Sequence, residues 1–326
     1  MRRLAALAAT ALVAGACAGE PSALDPAGDT AASLADLWWL MLVVGSVVWV
    51  LVVAVLVRAV VRGRDGGGER SRWSGQPLVV AGGIVLPVLV LVPLLIVVFR
   101  VAEGLSHEPE QGDVRIQVVG EQFWWRVAYD GDAAAISANE VHVPVGRPVT
   151  LELTSVDVIH SFWVPNVAGK TDLIPGETTH LRFQVDRPGV YRGFCAEFCG
   201  IQHAGMRLVL VAQTAEEFDD HVRHLAEDTR EPEDALAAEG QRVFDRVGCA
   251  DCHAVRGTEA AGVAGPDLTH LASRRTIGAG VVANTRGNLA GWVVDPQGIK
   301  PGNHMPPQPV DPQDLEALLA YLEGLE

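Results

Sequence analysis

Four side chains with sulfur or nitrogen donors lie within a segment of twelve residues in the middle of the chain. They are two thiols, one imidazole and one thioether, at Cys195, Cys199, His203 and Met206. Thiolate and thioether sulfur select copper over magnesium, calcium or manganese. His160 offers a second imidazole at the end of a predicted strand, and strand ends at one edge of a sheet can converge although they are distant in sequence. The pattern predicts a copper site.

Three other interpretations of this cysteine pair stay open: a structural disulfide, a zinc site and a thioredoxin-like copper chaperone. A disulfide would explain neither the imidazole nor the thioether, and a thioether is a poor zinc ligand. A chaperone with the same C-x-x-x-C spacing needs a βαβ environment, which the surrounding residues do not predict.

A second cysteine pair, in Cys249-Ala-Asp-Cys252-His253, has the spacing of covalent haem c attachment. Each thiol adds to a haem vinyl group, and the adjacent histidine binds the iron. A redox dithiol shares the C-x-x-C spacing, but the following histidine and an exported location favour haem. Met305 is the only methionine in this part of the chain and is the predicted sixth ligand, with His304 beside it as the alternative. Histidine and methionine ligation raises the haem potential, which suits an electron carrier.

The two motifs lie in segments of different predicted structure. Residues 113–212 contain short β-rich runs broken by glycine and proline, which predicts a β-sandwich or barrel. Residues 235–326 contain helical patterns, and the last helix carries a leucine stripe, Leu315–Leu322, that should pack against Val243 and Phe244. Residues 213–234 are acidic, so we predict a solvated, partly helical linker that lets the second domain swing.

Two uncharged apolar runs precede these domains, Leu37–Val57 and Leu78–Phe99. At about 1.5 Å of helix rise per residue, each is long enough for the hydrocarbon core of a bilayer. The segment between them, residues 58–73, is rich in arginine, and the positive-inside rule places it in the cytoplasm. We therefore predict a two-helix hairpin over residues 34–103 in a bacterial cell membrane, with both termini and all other domains on the extracytoplasmic side.

The first residues have the pattern of an export signal. Residues 1–17 begin with two arginines, continue with a short apolar stretch and end with small residues before Cys17. This cysteine resembles a bacterial lipoprotein site, and an ordinary signal peptide with an incidental cysteine is the alternative.

Composition excludes two classes of protein. The chain has 326 residues, 49% of them hydrophobic, with a mean hydropathy of +0.21, which is too apolar for a disordered protein. Its net charge is −15, whereas a nucleic-acid partner requires a basic surface, so no such partner is expected.

Residues 37–212 resemble cytochrome c oxidase subunit II, the subunit that carries the dinuclear copper centre CuA. The segment of residues 195–206, here named the copper loop, is one motif that carries this resemblance. Three others are Gln122-Phe-Trp-Trp125, His160-Ser-Phe-Trp-Val-Pro165 and Lys170-Thr-Asp-Leu-Ile-Pro-Gly176. The haem segment resembles small bacterial cytochromes c over about 90 residues. The resemblance implies a multidomain fold with a two-helix transmembrane hairpin, an all-β cupredoxin-like Greek-key sandwich and an all-α cytochrome c domain.

The resemblance also implies a role for each residue of the copper loop. Cys195 and Cys199 would bridge two coppers, His160 and His203 would each bind one copper, and Met206 would be a weak ligand. Two metals that share two thiolates can share one electron, so little reorganisation accompanies each transfer.

Further roles follow from the same resemblance. Glu197 would bind copper through its backbone carbonyl, and its side chain would face a magnesium ion shared with the catalytic subunit. The aromatic residue that accepts electrons in this family follows the glutamine and is commonly tryptophan. Here it is Phe123, so Phe123 and Trp124 are the candidate relay, and strand alternation predicts that Trp125 packs in the core. Glu103 resembles a carboxylate at the mouth of a proton pathway, and simple solvation at the membrane edge is the alternative.

The function implied is the electron-accepting subunit of a haem–copper terminal oxidase, in which a separate catalytic subunit reduces dioxygen to water. Its partners would be that subunit, further oxidase subunits, the lipid membrane and an upstream quinol–cytochrome c reductase or cytochrome donor. A nitric oxide reductase subunit with the same centres and a non-enzymatic copper-delivery protein are the alternatives. The haem motif disfavours copper delivery, because delivery needs no second redox centre.

Overall fold

The computed structural model describes residues 21–64, 75–105, 109–129 and 135–326. The predicted signal segment with Cys17, and residues 65–74 of the arginine-rich segment, lie outside the described residues. The chain divides into two compact units, Ala32–His107 and the combination of Met1–Ala31 with Glu108–Glu326.

The smaller unit contains two long apolar helical stretches. Helix α1 is Asp29–Arg64, and the second stretch consists of α2 (Gly75–Val80), a π-helical segment (Ala81–Val85) and α3 (Leu86–Leu105). Pro87 has no N–H to donate to the preceding turn, which gives a physical reason for the widened π segment just before it. Both stretches are long and apolar enough to cross a membrane, and they contain the two predicted spans.

The larger unit begins with a β-sandwich of two five-stranded sheets, ordered β3-β2-β1-β5-β8 and β4-β10-β9-β6-β7. The strands β1–β10 are Val114–Glu121, Trp124–Tyr129, Ile136–Ala138, Glu140–Pro144, Pro148–Ser155, His160–Trp163, Thr171–Leu173, Thr179–Gln184, Gly189–Cys195 and Arg207–Gln213. Strand β1 runs parallel to β5, and β10 runs parallel to β4. The predicted all-β, cupredoxin-like sandwich is confirmed.

The sandwich core follows from strand alternation. In β2, Trp125, Val127 and Tyr129 are buried, while the residues between them are only half-buried. Side chains of the other sheet, such as Phe162 and Leu210, complete the same core. Trp125 therefore packs in the core, as predicted.

The acidic linker contains a helix that packs on the sandwich. Helix α4 is Ala215–Ala226, and Thr214 and Glu217 form a capping box at its start. Phe218 and Leu225 are buried in the sandwich core. The prediction of a solvated linker is wrong for this helix, because helical spacing gathers its few apolar residues on one face.

The second domain of the larger unit is mainly helical. Its elements are α5 (Ala235–Arg246), β11 (Thr276–Ile277), β12 (Val282–Ala283), α6 (Arg286–Val294), α7 (Pro296–Ile299) and α8 (Pro312–Glu323). Helices α5 and α8 cross at Gly240, where a Cβ atom would lie 2.0 Å from the carbonyl oxygen of Ala317. The leucine stripe of α8 packs with Val243 and Phe244 in one hydrophobic core, as predicted.

Candidate copper and haem centres

The copper loop connects β9 to β10 at one end of the sandwich. Cys195 is the last residue of β9, and His203 begins a short 3-10 turn that ends just before β10. His160 is the first residue of β6, and β6 pairs with β9 so that Phe162 lies opposite Cys195. This pairing brings His160 to the loop across 35 residues of sequence.

The predicted ligands form one cluster around two free thiols, with His203 half-buried and the other four side chains buried. The Sγ atoms of Cys195 and Cys199 are 3.8 Å apart. Each thiol has its own imidazole: His160 Nδ1 is 3.9 Å from Cys195 Sγ, and His203 Nδ1 is 3.9 Å from Cys199 Sγ. Met206 Sδ lies 3.9 Å from Cys199 Sγ, and Met206 is fully buried. The structure thus brings together all five side chains predicted to bind copper.

Three residues outside the loop fix this arrangement. Asp157 accepts a hydrogen bond from His160 Nε2 at 2.8 Å, which leaves Nδ1 as the nitrogen directed at the thiols. Gln122 donates through Nε2 to the carbonyl oxygen of Cys199 at 2.6 Å. Gly120 lies against the His160 ring, where a Cβ atom would be 2.8 Å from Cδ2. Sequence reasoning did not find these roles for Asp157 and Gly120, and the only local signal was an aspartate three residues before the histidine.

The two thiols of the cluster shift each other's pKa in opposite directions. The hydrogen bond with Cys199 lowers the pKa of Cys195 to about 3. The same pairing raises the pKa of Cys199 far above its usual range. Burial works to lower the pKa of His160, but hydrogen bonds with Cys195 and Asp157 outweigh it and the pKa is raised. One thiolate stabilised by hydrogen bonds is an arrangement suited to a soft cation.

Glu197 points its two ends in different directions. Its carbonyl oxygen is 3.1 Å from Cys195 Sγ, inside the cluster. Its carboxylate is half-exposed and lies 3.5 Å from Lys170 Nζ, which also contacts Asp172 at 2.9 Å. The Lys170 motif therefore pairs with the copper loop.

The three aromatic residues after Gln122 occupy different environments. Phe123 is 6% exposed and lies against Gly200 of the copper loop. Trp124 is half-buried, and the Arg126 guanidinium lies over its ring, 5.5 Å from the centroid. Phe123, one of the two candidate relay residues, is thus in contact with the copper loop.

The haem motif forms a short turn after α5, with Cys249 in the 3-10 segment Cys249–Asp251. His253 donates through Nδ1 to the carbonyl oxygen of Pro266 at 2.7 Å, which leaves Nε2 with its lone pair. Burial lowers the pKa of His253, which favours the neutral imidazole that binds a metal. A Cβ atom on Gly265 would lie 2.6 Å from the imidazole Cε1, so only glycine fits beside this ring. A neutral, oriented imidazole next to two free thiols fits covalent haem attachment.

Met305 lies in the loop that follows α7, and this loop is held by side-chain hydrogen bonds. Asn303 Oδ1 accepts the N–H of Met305 at 2.8 Å. Gln297 Nε2 donates to the carbonyl oxygens of Asn303 and Met305 at 2.9 and 3.0 Å. His304, the alternative ligand, is exposed and its ring lies 5.6 Å from the Phe123 ring, across the boundary between the domains.

Comparison with known proteins gives matches over both domains. The family described as "Cytochrome C oxidase subunit II, periplasmic domain" matches residues 130–213, and the family "Cytochrome c" matches residues 237–326. "Cytochrome c oxidase subunit 2" of Alkalihalophilus pseudofirmus is 38% identical over 322 residues, covering 95% of this chain and 93% of that protein. The chain belongs to the cytochrome c oxidase subunit 2 family.

Two further proteins are similar to this chain, one over its whole length and one over a single domain. "Cytochrome c oxidase subunit 2" of Bacillus subtilis is 31% identical over 350 residues, covering 100% of this chain and 98% of that protein. The crystal structure of the periplasmic domain of subunit II of cytochrome oxidase from Bradyrhizobium japonicum is 28% identical, covers 36% of this chain and 95% of that one, and has a TM-score of 0.34.

Family membership settles the general role of the chain. It is subunit 2 of a haem–copper oxidase, an oxidoreductase complex, and it carries a cytochrome c domain. It associates with other oxidase subunits and is anchored in a membrane. The two matched domains imply copper and haem c as cofactors.

Proposed function

We propose that this subunit passes electrons from haem c to a dinuclear copper centre, CuA, and on to the catalytic subunit, which reduces dioxygen to water. The observation that carries the proposal is the paired geometry of the copper loop. Two thiols lie 3.8 Å apart, and each has one imidazole nitrogen at 3.9 Å. Such a set offers each of two coppers one imidazole and a share of both thiolates. Two coppers held in this way supply a centre that accepts and gives up one electron.

Each ligand residue has a separate task in this proposal. Cys195, Cys199, His160, His203 and Met206 would hold the two coppers, with the thiolates shared between the metals, one imidazole for each and the thioether as a weak ligand. Asp157 fixes the ring orientation of His160 through the 2.8 Å hydrogen bond to Nε2.

Glu197 would serve two metals. Its carbonyl oxygen, 3.1 Å from Cys195 Sγ, would contact copper. Its half-exposed carboxylate would bind magnesium together with oxygen ligands from the catalytic subunit, since magnesium prefers oxygen. Lys170, now 3.5 Å from that carboxylate, would then retain Asp172 as its partner.

In the haem domain, Cys249 and Cys252 would attach the haem, and His253 and Met305 would bind its iron. The order of transfer is supported by the contact between the Met305 loop and the copper loop, in which Gln202 donates to the carbonyl oxygen of Pro301. The His304 ring lies 5.6 Å from Phe123, whose neighbour Gln122 donates to the Cys199 carbonyl. Phe123 is therefore the favoured relay, and Trp124 is the second candidate.

The remaining proposals concern the surroundings of the subunit. Both termini and the copper and haem domains lie outside the cytoplasm, and the arginine-rich segment between the helices lies inside it. The external donor to the haem is a quinol–cytochrome c reductase or another cytochrome. Glu103, exposed near the end of α3, takes up protons for the catalytic subunit.

The decisive experiment is rapid mixing of the fully reduced oxidase with dioxygen, comparing wild type with Cys199→Ser. In the wild type, the haem c absorption should reoxidise rapidly. In the variant, haem c should stay reduced in the mixing experiment, although an external donor still reduces it. Reoxidation of the variant haem at the wild-type rate would show that electrons bypass the copper centre. Electron paramagnetic resonance of the wild type tests the metal count, since a four-line, single-copper spectrum would contradict a dinuclear site.

A further inference from the structure

The copper and haem domains are joined by hydrogen bonds and not only by the linker. The N–H of Arg207, next to the copper loop, donates to the carbonyl oxygen of Ala279 at 3.0 Å. Arg126 donates to the carbonyl oxygen of Val263 at 3.2 Å. The two domains also belong to one compact unit. The expectation that the haem domain swings freely is therefore wrong for this structure.

Lys300 is the most unusual residue at this boundary. It is one of only two lysines in the chain and is 3% exposed, whereas lysine is almost never buried without a partner. Its Nζ donates to the carbonyl oxygen of Phe123 at 2.8 Å and to that of Gly278 at 3.1 Å. Phe123 belongs to the copper domain, while Lys300 and Gly278 belong to the haem domain. The Nζ atom of Lys300 thus links the Met305 loop to the Gly278 segment of the haem domain and to Phe123 of the copper domain.

The position of Lys300 connects the two redox sites. It lies five residues before Met305, in the same loop. Its Cε atom is close to the turn after His203, at 3.6 Å from the position of a Cβ on Gly205. Gln202 in the copper loop also donates to the carbonyl oxygen of Pro301, beside Lys300. The loop that carries the predicted haem ligand is therefore seated directly on the copper loop.

A buried acid makes the reciprocal contact from the other side. Glu140 in β4 of the copper domain is 3% exposed. Its Oε1 accepts the N–H groups of Arg275 and Thr276 in the haem domain, at 2.7 and 3.1 Å. Each domain therefore sends one buried ionisable side chain to backbone groups of the other. Separation of the domains would leave these backbone groups and side chains to find new partners.

We propose that Lys300 is a positioning residue for electron transfer. Its hydrogen bond to the carbonyl oxygen of Phe123 holds the Met305 loop against the copper domain. The hydrogen bonds of Glu140 to the haem domain hold the two domains together at a second point. The proposal deepens the proposed transfer from haem c to copper and rests on it. In this arrangement the distance between the redox sites is fixed by hydrogen bonds. Transfer between them then needs no domain motion and does not depend on solvent viscosity.

The test is photoreduction of haem c in the intact oxidase, followed by the rate at which the electron reaches the copper centre. Lys300→Met keeps the length of the side chain but removes the donors. The hydrogen bond to the Phe123 carbonyl that this variant loses is worth a factor of about two to ten in an equilibrium, so we expect transfer to be slower by about that factor. The transfer rate of this variant should also fall further when glycerol raises the viscosity of the solvent. The haem absorption spectrum and the copper resonance spectrum should not change.

Matched variants separate positioning from general destabilisation. Arg286→Met removes a cation whose partners, Glu316 and Glu323, lie in the haem domain. Electron transfer from haem c to copper should proceed at the wild-type rate in this variant. Glu140→Gln keeps an acceptor oxygen for the two N–H groups and should stay near the wild type. Glu140→Leu removes that acceptor and should be slowed. If Lys300→Met does not fold, the comparison of Glu140→Gln with Glu140→Leu still tests whether the contact between the two domains sets the transfer rate.

The outcomes distinguish this proposal from the proposed function. If the wild type shows no transfer from haem c to copper, the proposed function fails. If electrons pass from haem c to copper equally fast in the wild type and in Lys300→Met, and neither rate depends on viscosity, only the role of Lys300 is refuted. Loss of the methionine-to-iron charge-transfer band in Lys300→Met would place the role of Lys300 within the haem domain and would also overturn the proposal.

Discussion

Gly120→Ala is the substitution that the structure predicts most sharply for the copper site. Gly120 lies in the central strand β1, paired with Trp125 on one side and Ser155 on the other, so its backbone cannot move freely. The new Cβ would lie 2.8 Å from His160 Cδ2 and 3.0 Å from Cγ, whereas ordinary contact begins at 3.4 Å. The ring must therefore retreat by about 0.6 Å from the position set by Asp157.

The cost of this retreat can be bounded from packing. His160 is fully buried and hydrogen-bonded, so it has no empty space to occupy. Overpacking of a well-packed core costs about 1–3 kcal/mol. In a domain of 150–250 residues, each kcal/mol lowers the melting temperature by about 2–4 °C. We expect a fall of several degrees together with a change at the copper site.

Two measurements check this prediction on the full-length subunit. Thermal unfolding gives the stability, and the electron paramagnetic resonance hyperfine pattern reports the position of the histidine ligand. Gly287→Ala is the control, because its Cβ would meet no atom within 4 Å, and alanine favours the helix. An unchanged hyperfine pattern and melting temperature in Gly120→Ala would show that His160 is not held as described.

Three other predictions concern different parts of the chain. Gly265→Ala should displace the His253 ring, which a Cβ would approach to 2.6 Å, and should lower the haem content or shift its potential in a redox titration. Hydrogen bonds from Arg182 lower the pKa of Asp113 to about 2, so Asp113→Asn should cost on the order of 2 kcal/mol at neutral pH. Because the folded-state pKa is depressed, this wild-type advantage should disappear as pH falls from 3.8 towards 2, which acid unfolding measures. Glu103→Gln should slow steady-state turnover without changing metal content, and unchanged turnover would exclude a role in proton uptake.

The clustering of the copper loop was predictable from sequence because the side chains themselves carry the signal. Cysteine, histidine and methionine are uncommon enough in this chain that four of them within one short segment indicate a metal. The approach of His160 was predictable only in outline, from its place at a strand end. Its orientation depends on Asp157 and Gly120, residues of types that occur throughout the chain, so sequence alone did not single them out.

The linker shows how composition can hide a pattern. Its acidic residues suggested a solvated segment, although Phe218 and Leu225 have the spacing of one helical face. Their burial against the sandwich outweighs the charged surroundings, because the carboxylates of the same helix can remain in water. The helix pattern was therefore visible, while its packing partner was not.

The contact between the domains lies beyond sequence reasoning for a more general reason. Lys300 and Glu140 bind backbone carbonyl and N–H groups, which every residue type except proline supplies in full. No complementary side chain marks the partner position. The same property makes the contact tolerant of change: Lys300 binds the carbonyl of Phe123, so a tryptophan substituted at this position would leave that hydrogen bond intact. A substitution of the side chain at position 123 therefore need not separate the domains, because the hydrogen bond that seats the Met305 loop on the copper domain is made by the backbone.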